Sequence, residues 1–279
     1  MSSLASRLVS VAIPDSLFID EETLRGKTTK VGQIARAASI FGVERIYIYR
    51  DSSKNYDREF ETAKDILEYL ETPQYLRRRL IPRKSNLEFA GILPPLRIPS
   101  HMRESVPRQD EIREAVLTTQ NGELVADVGA KEAAIFEGRG QHGQRITVKV
   151  VSLKPLKVAP SPRPEQAYWG YEVRRAPSLA RFLRSANFDL TILTSRLGEL
   201  ASKKWSELSS RMSSSERALV CFGSPEAGVD KMLKQDNAEV RDFPKAMYLN
   251  LFPFQRVETV RLEEALLGSL SVLNIAANV

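Results

Sequence analysis

Cysteine and histidine are nearly missing from this chain of 279 residues, which has one cysteine, Cys221, and two histidines, His101 and His142. A single cysteine excludes an intramolecular disulfide and any zinc centre built on cysteine pairs, and it fits a reducing compartment. The two histidines lie outside any metal-ligand spacing, so no metal centre is expected and a serine–histidine triad has no support. No run of about 18 apolar residues occurs, and no membrane span is expected. The first residues lack the long apolar core of a secretory signal, so the expectation is a cytoplasmic protein.

Several nucleotide-binding and hydrolytic signatures are also missing. Gly26-Lys27-Thr28 looks like the end of a phosphate-binding loop, but Glu21 stands where its first glycine belongs. Gly138-Arg139-Gly140 with Gly143 lies in a β-like segment with no helix after it, so it is no dinucleotide fingerprint. In Gly223-Ser224 the serine directly follows its glycine, unlike a nucleophile elbow.

What is present is an ordinary globular composition, 42% hydrophobic, with length enough for two domains. The net charge of +6 is concentrated between residues 76 and 108. Eight basic residues there (Arg77, Arg78, Arg79, Arg83, Lys84, Arg97, Arg103, Arg108) face two acidic ones (Glu88, Glu104), which leaves the remainder neutral. Such a local excess points to a polyanion partner, against the alternative of a solvated, arginine-rich face.

Apolar periodicity predicts a strand at 8–13, a helix from Thr28 or Thr29 to Ala38, a strand at 43–49, a helix at 59–70 and a short one from Pro73 to Leu80. That alternation favours a parallel sheet. After Pro82 the pattern turns β-like: 115–119 and 124–128 flank Asn121-Gly122, a strong hairpin signal, and 133–136 and 146–153 follow. Roughly five short strands in ~75 residues predict a small OB-type barrel. The α/β rhythm then returns, with strands at 168–173, 189–193, 218–222 and 246–251, a helix at 179–185, and a closing helix from Thr259. Leu262, Leu266, Leu270 and Leu273 form the core face of that helix.

Two segments at strand ends carry the chemistry. Residues 222–228 and 249–256 are turn-rich stretches after buried strands, and in open α/β sheets ligands sit at that carboxyl edge. Glu263 and Glu264 complement the positive end of the last helix. Arg36, on an otherwise apolar or small-residue helix, is either a structural ion pair or an electrostatic catalytic group; composition leaves both open.

The run Lys30-Val31-Gly32-Gln33-Ile34-Ala35-Arg36-Ala37-Ala38-Ser39-Ile40-Phe41 resembles the first signature of an archaeal and eukaryotic SPOUT-class family of RNA uridine N3-methyltransferases. Further matches along the chain are Pro73-Gln74-Tyr75-Leu76-Arg77-Arg78, Phe89-Ala90-Gly91-Ile92-Leu93-Pro94-Pro95-Leu96, Tyr168-Trp169-Gly170-Tyr171-Glu172-Val173-Arg174, Asp189-Leu190-Thr191 and Val260-Arg261-Leu262-Glu263-Glu264-Ala265. The resemblance implies an α/β trefoil-knot domain made of residues 1–88 and 166–279, with an RNA-binding OB-like barrel, 89–165, inserted in it. It also implies a homodimer and S-adenosyl-L-methionine held by three loops.

Mapped onto this sequence, the loops are Thr194-Ser195-Arg196; Phe222, Gly223 and Ser224 with Gly228; and Leu249, Asn250, Phe252, Pro253 and Gln255 with Thr259. Arg196 stands where the family usually has an acidic residue, and Phe254 and Arg256 replace the glycines that usually flank the glutamine. The implied activity is methylation of N3 of a uridine in structured, possibly ribosomal RNA. Arg36 would stabilise negative charge on the uracil, with Gln33 or Asn250 orienting the base and Glu258 accepting the proton. Arg77, Arg78, Arg79, Arg83, Lys84, Arg97 and Arg103 would hold phosphates. The rival expectation is a non-catalytic RNA-binding or assembly factor with a degenerate pocket; methylation of another base or ribose position is a further alternative.

Overall fold

The computed structural model describes residues 8–51, 54–102, 104–224 and 226–278. Arg103 and Pro225, which fall in expected functional segments, lie outside the described residues. In chain order the elements begin with β1 (Leu8–Pro14), α1 (Leu24–Ile40), β2 (Val43–Arg50), α2 (Asp57–Glu71) and α3 (Gln74–Leu80). Next come β3 (Ile112–Gln120), β4 (Glu123–Asp127), β5 (Ala134–Phe136), β6 (Arg145–Leu153) and β7 (Leu156–Pro160). The last part holds β8 (Glu172–Ser178), α4 (Leu179–Ser185), β9 (Leu190–Leu200), α5 (Trp205–Ser214), β10 (Arg217–Cys221), α6 (Val229–Gln235), β11 (Ala246–Asn250) and α7 (Leu262–Ala276). The described residues form two compact units. One contains those up to Glu68, Phe89–Pro94 and Tyr171 onward; the other contains Tyr69–Glu88 and Pro95–Gly170.

The first unit is built on a six-stranded sheet, β8-β2-β1-β10-β9-β11, in which every pairing is parallel. Strands covered on both faces read as unbroken apolar runs. Residues 10–14 of β1 and 218–221 of β10 are all buried. α1 starts a turn before the expected Thr28: the Thr23 hydroxyl caps it, accepting from the Gly26 amide at 3.0 Å. Thr28 and Thr29 instead sit inside the helix and donate to the carbonyls of Leu24 and Arg25. At α7, the Glu264 carboxylate accepts from the Arg261 amide at 3.0 Å, a helix-end role. Glu263 is buried and faces the ammonium of buried Lys30 at 3.5 Å.

The second unit is a closed barrel ordered β3-β4-β5-β7-β6, antiparallel throughout except between β5 and β7. Asn121 and Gly122 have φ of 50° and 84°, the left-handed pair that a tight hairpin of this twist requires. α3 belongs to this unit: the Tyr75 hydroxyl donates to the Glu114 carbonyl at 2.8 Å. The Glu114 carboxylate is buried and accepts from Arg145 Nε (2.5 Å), Thr147 Oγ1 (2.7 Å) and Trp169 Nε1 (2.6 Å). Arg145 also forks onto both carboxylate oxygens of Glu71, at 2.6 and 3.0 Å. Burial pushes the Glu114 carboxyl up, but the Arg145 charge and these three donors outweigh it and hold it below the usual range.

At the carboxyl ends of β1 and β2 two buried acids meet. The Asp51 amide donates to Asp15 Oδ1 at 3.3 Å, and the Ser16 hydroxyl donates to the Asp51 carboxylate. Burial pushes the Asp15 carboxyl up to about 7, and the Asp51 charge adds to this while Arg175 opposes it. Because the folded value lies above the ordinary 3.8, the stability this group contributes is complete below 3.8 and is lost as pH rises through about 7. Asp15→Asn removes this titration, so its stability relative to the parent should rise by about 2–3 kcal/mol between pH 5 and pH 8.5, read as the difference in urea unfolding between the two pH values. An equal effect at both pH values would count against a protonated Asp15.

Candidate functional site

The ladder between β9 and β11 is interrupted. Tyr248 lies opposite Leu193, but the next residue, Leu249, lies opposite Glu199. Residues 194–198 therefore leave the pairing and stand free of it as one wall of a cavity. Gly198 marks their return, where an added Cβ would lie 2.6–2.8 Å from the backbone of Leu249. The second wall follows β10, where the Ser224 amide donates to the Ala227 carbonyl at 2.9 Å and the Ala227 amide returns a bond to Ser224 Oγ at 3.1 Å. A Cβ on Gly223 would meet that carbonyl at 2.7 Å. The third wall runs from β11 to α7.

The cavity has a volume of about 350 Å³, within the range of small-molecule sites. It is lined by Thr194, Ser195, Arg196, Phe222, Gly223, Ser224, Gly228, Asn250, Phe252, Gln255, Glu258 and Thr259, all expected from sequence. Leu249 and Pro253, also expected, are not among its lining residues. Leu249 is buried in β11 against Gly198. Sequence reading did not foresee Leu197, Asp230 and Lys231, nor Leu262, Ala265 and Ser269 of α7, which also line it. The α6 that carries Asp230 is only seven residues long, so its Val229, Met232 and Leu233, though at helical spacing, make a single turn that periodicity does not resolve.

The walls are cross-tied. The Asn250 amide donates to the Arg196 carbonyl at 3.0 Å, and its oxygen accepts from the Phe252 amide at 2.9 Å. The Gln255 amide donates to the carbonyls of Val257 and Glu258, at 3.0 and 3.1 Å, and Arg196 reaches the Glu258 carbonyl at 3.4 Å. Thr194 Oγ1 donates to the Cys221 carbonyl at 2.8 Å, and the Tyr248 hydroxyl donates to Ser195 Oγ at 2.8 Å. Burial pushes the Tyr248 phenol above its ordinary value; the bond to Ser195 opposes this and the Asp230 charge reinforces it.

Phe254 has a φ of 58°, in the left-handed region, is 80% exposed and does not line the cavity. Gln33 is exposed and Arg36 half-buried on α1, and neither lines the cavity. Among the expected phosphate contacts, the Arg77 guanidinium donates to the carbonyls of Thr72 and Leu70 and covers the Tyr69 ring at 4.2 Å. Arg79 pairs with Asp127. Arg78, Arg83, Lys84 and Arg97 are exposed in the barrel unit.

A parallel α/β unit with a loop-walled cavity at strand carboxyl ends, in a chain that also carries a basic barrel unit, has the architecture of a protein that binds a small molecule at the sheet edge. A family model described as "Putative RNA methyltransferase" matches residues 8–273. The mouse protein named 28S rRNA (uridine-N(3))-methyltransferase is 34% identical over 301 residues, which cover 95% of this chain and 75% of that protein. The human protein of the same name is 33% identical over 304 residues, covering 95% and 77%. An uncharacterized protein of Haloarcula marismortui is 30% identical over 280 residues, covering 95% and 98%. The chain therefore belongs to this family of RNA methyltransferases.

Proposed function

We propose that the chain transfers a methyl group from S-adenosylmethionine to N3 of a uridine in structured RNA, ribosomal RNA being the favoured substrate. The cavity between the three loops carries this reading, and the names of the mouse and human relatives support the target. The cavity's chemistry fits the donor. Gly223 and Gly228 let the second loop close tightly on itself, since a Cβ there would meet the Ala227 carbonyl and the Asp230 carboxylate at 2.7 Å. Ser269 Oγ is buried, with no hydrogen-bond partner among the described residues. The bound donor supplies a methyl already activated on a sulfonium. Ser195, Gly223, Gln255 and Thr259 hold it, and Asn250 acts by fixing the first loop to the third.

The protein must then position the uracil and accept its weakly acidic imide proton. N3 lies on the pairing edge, so the uridine enters unpaired or flipped. Glu258, a cavity-lining carboxylate, is the proton acceptor in this reading. Arg36 and Gln33 do not line the cavity of one copy, so their roles require the homodimer, which is part of the proposal. The strand order across β9, with β10 on one side and β11 on the other, supports a SPOUT-type trefoil knot. The barrel order, with its single parallel pairing, supports an OB-type RNA-binding domain inserted into the methyltransferase domain. The barrel unit takes in Tyr69–Glu88 and Pro95–Gly170, where the sequence predicts 89–165 between 1–88 and 166–279. The test is transfer of isotopic methyl from S-adenosylmethionine to ribosomal RNA by the purified protein; no incorporation would leave the RNA-binding or assembly role.

For RNA holding, the informative positions are those not already occupied. Reversing Arg78, Arg83 and Arg97 to glutamate should lower the slope of log affinity against log salt by about 2–3 units and leave donor binding intact. An unchanged slope would remove these residues from the RNA path.

A further inference from the structure

Three large apolar side chains stand in the open around the mouth of the cavity. Leu197 in the first loop is 70% exposed, Phe254 in the third is 80% exposed and Val257 is 58% exposed. Leu197 lines the cavity itself, while Phe254 and Val257 are chain neighbours of the lining residues Gln255 and Glu258. The loops are tied together there, because Arg196 reaches the Glu258 carbonyl and Gln255 holds the carbonyls of Val257 and Glu258. The exposed ring is thus carried on a braced loop. Holding a phenylalanine at a φ of 58° is unfavourable for a residue with a Cβ, and glycine or asparagine would adopt it at lower cost. No burial repays that cost within this chain.

The ring's surroundings carry both signs: exposed Arg256 follows it by two residues on the outer side, while Arg196 and Lys231 line the cavity together with Glu226, Asp230 and Glu258. An exposed aromatic interleaved with arginine is the combination that binds single-stranded nucleic acid, the ring stacking a base and the cations meeting phosphate. We infer that Phe254, with Leu197 and Val257, forms a stacking platform at the cavity mouth for an unpaired RNA base, and that Arg256 holds an adjoining phosphate. This deepens the proposed methyl transfer and rests on it. The platform grips the nucleotide, or its unpaired neighbour, while the target ring is presented to the donor.

The test compares Phe254→Asn, which keeps the left-handed backbone and removes the ring, with Phe254→Tyr, which keeps the ring. The RNA probe is a fluorescein-labelled single-stranded oligouridylate read by anisotropy at low salt. Donor binding is read by calorimetry with S-adenosylmethionine, and molecular mass by light scattering. Phe254→Asn should weaken oligouridylate binding roughly tenfold, with donor affinity and mass unchanged, and Phe254→Tyr should stay within about twofold of the parent. Unchanged RNA affinity in Phe254→Asn, or a parent that does not bind the oligonucleotide, overturns the platform. A parallel loss of donor affinity would instead make Phe254 a shaper of the donor loop. A fall in mass would make the ring a contact with a second copy; either result also overturns the proposal. A parent protein that binds oligouridylate but no S-adenosylmethionine sinks the reading of the cavity, and this inference with it. Normal donor binding with unaltered RNA affinity sinks only the inference.

Discussion

Arg145→Ala is expected to cost the barrel unit about 3 kcal/mol or more, the largest loss of any single substitution considered. The guanidinium joins two carboxylates that are almost out of water: the Glu114 side chain is 2% exposed and that of Glu71 10%. Removing it leaves two negative charges in a poorly solvated space, with Thr147 and Trp169 the neutral donors left to Glu114, and that desolvation exceeds the value of the bonds themselves. Arg145→Lys keeps the charge but cannot fork onto Glu71 while bonding Glu114, so it should fall between the two. Urea unfolding followed by the fluorescence of Trp169, whose indole donates to Glu114, reads the change where it occurs. A loss below about 0.5 kcal/mol would mean that this network contributes little to holding the barrel.

Gly198→Ala should damage the active cavity more than any change to a side chain lining it. The new methyl would meet Leu249 N at 2.8 Å, Cα at 2.8 Å and C at 2.6 Å, all backbone atoms of a paired strand that cannot swing aside. β9 and β11 would have to part where the first wall rejoins the sheet. We expect a loss of about 2–3 kcal/mol in stability and at least a tenfold fall in S-adenosylmethionine affinity by calorimetry. Donor affinity equal to the parent's would show that the cavity does not depend on this crossing.

The parts of the fold that were legible in sequence are those in which local pattern and burial agree. The runs at 8–13 and 218–222 are apolar because their strands are buried, the partly alternating run at 43–49 buries Val43, Ile46, Ile48 and Tyr49, and Asn121-Gly122 takes the two left-handed conformations its turn needs. The misses have particular causes. α5 buries only Leu208 and Met212, and its serines are weak helix formers, so no periodic stripe shows. β7 lies among prolines that read as a loop, yet Pro160 is its last residue. The strand expected at 168–173 begins only at Glu172, since Trp169 serves Glu114 in the barrel unit, a pairing no local pattern reveals.

The site was legible in a similar way. Turn-rich loops after strands identified the second and third walls, and the first came from the family's Thr194-Ser195 signature. The excursion of 194–198 out of the ladder is a register event between strands far apart in sequence, and periodicity carries no record of it. Likewise, clustering of arginines located the basic region, but only the fold shows Arg77 and Arg79 already engaged and Arg78, Arg83 and Arg97 facing water.

The central claim is transfer of a methyl group to the pairing edge of one uridine, and nucleoside mass spectrometry tests it most directly. Purified protein would be incubated with S-adenosylmethionine and unmodified ribosomal RNA, and the digested RNA mapped. The account predicts 3-methyluridine at a discrete position, absent when Gly198→Ala replaces the parent. Methyl groups found on a base carbon or a ribose oxygen, or no methyl incorporation at all, would contradict it.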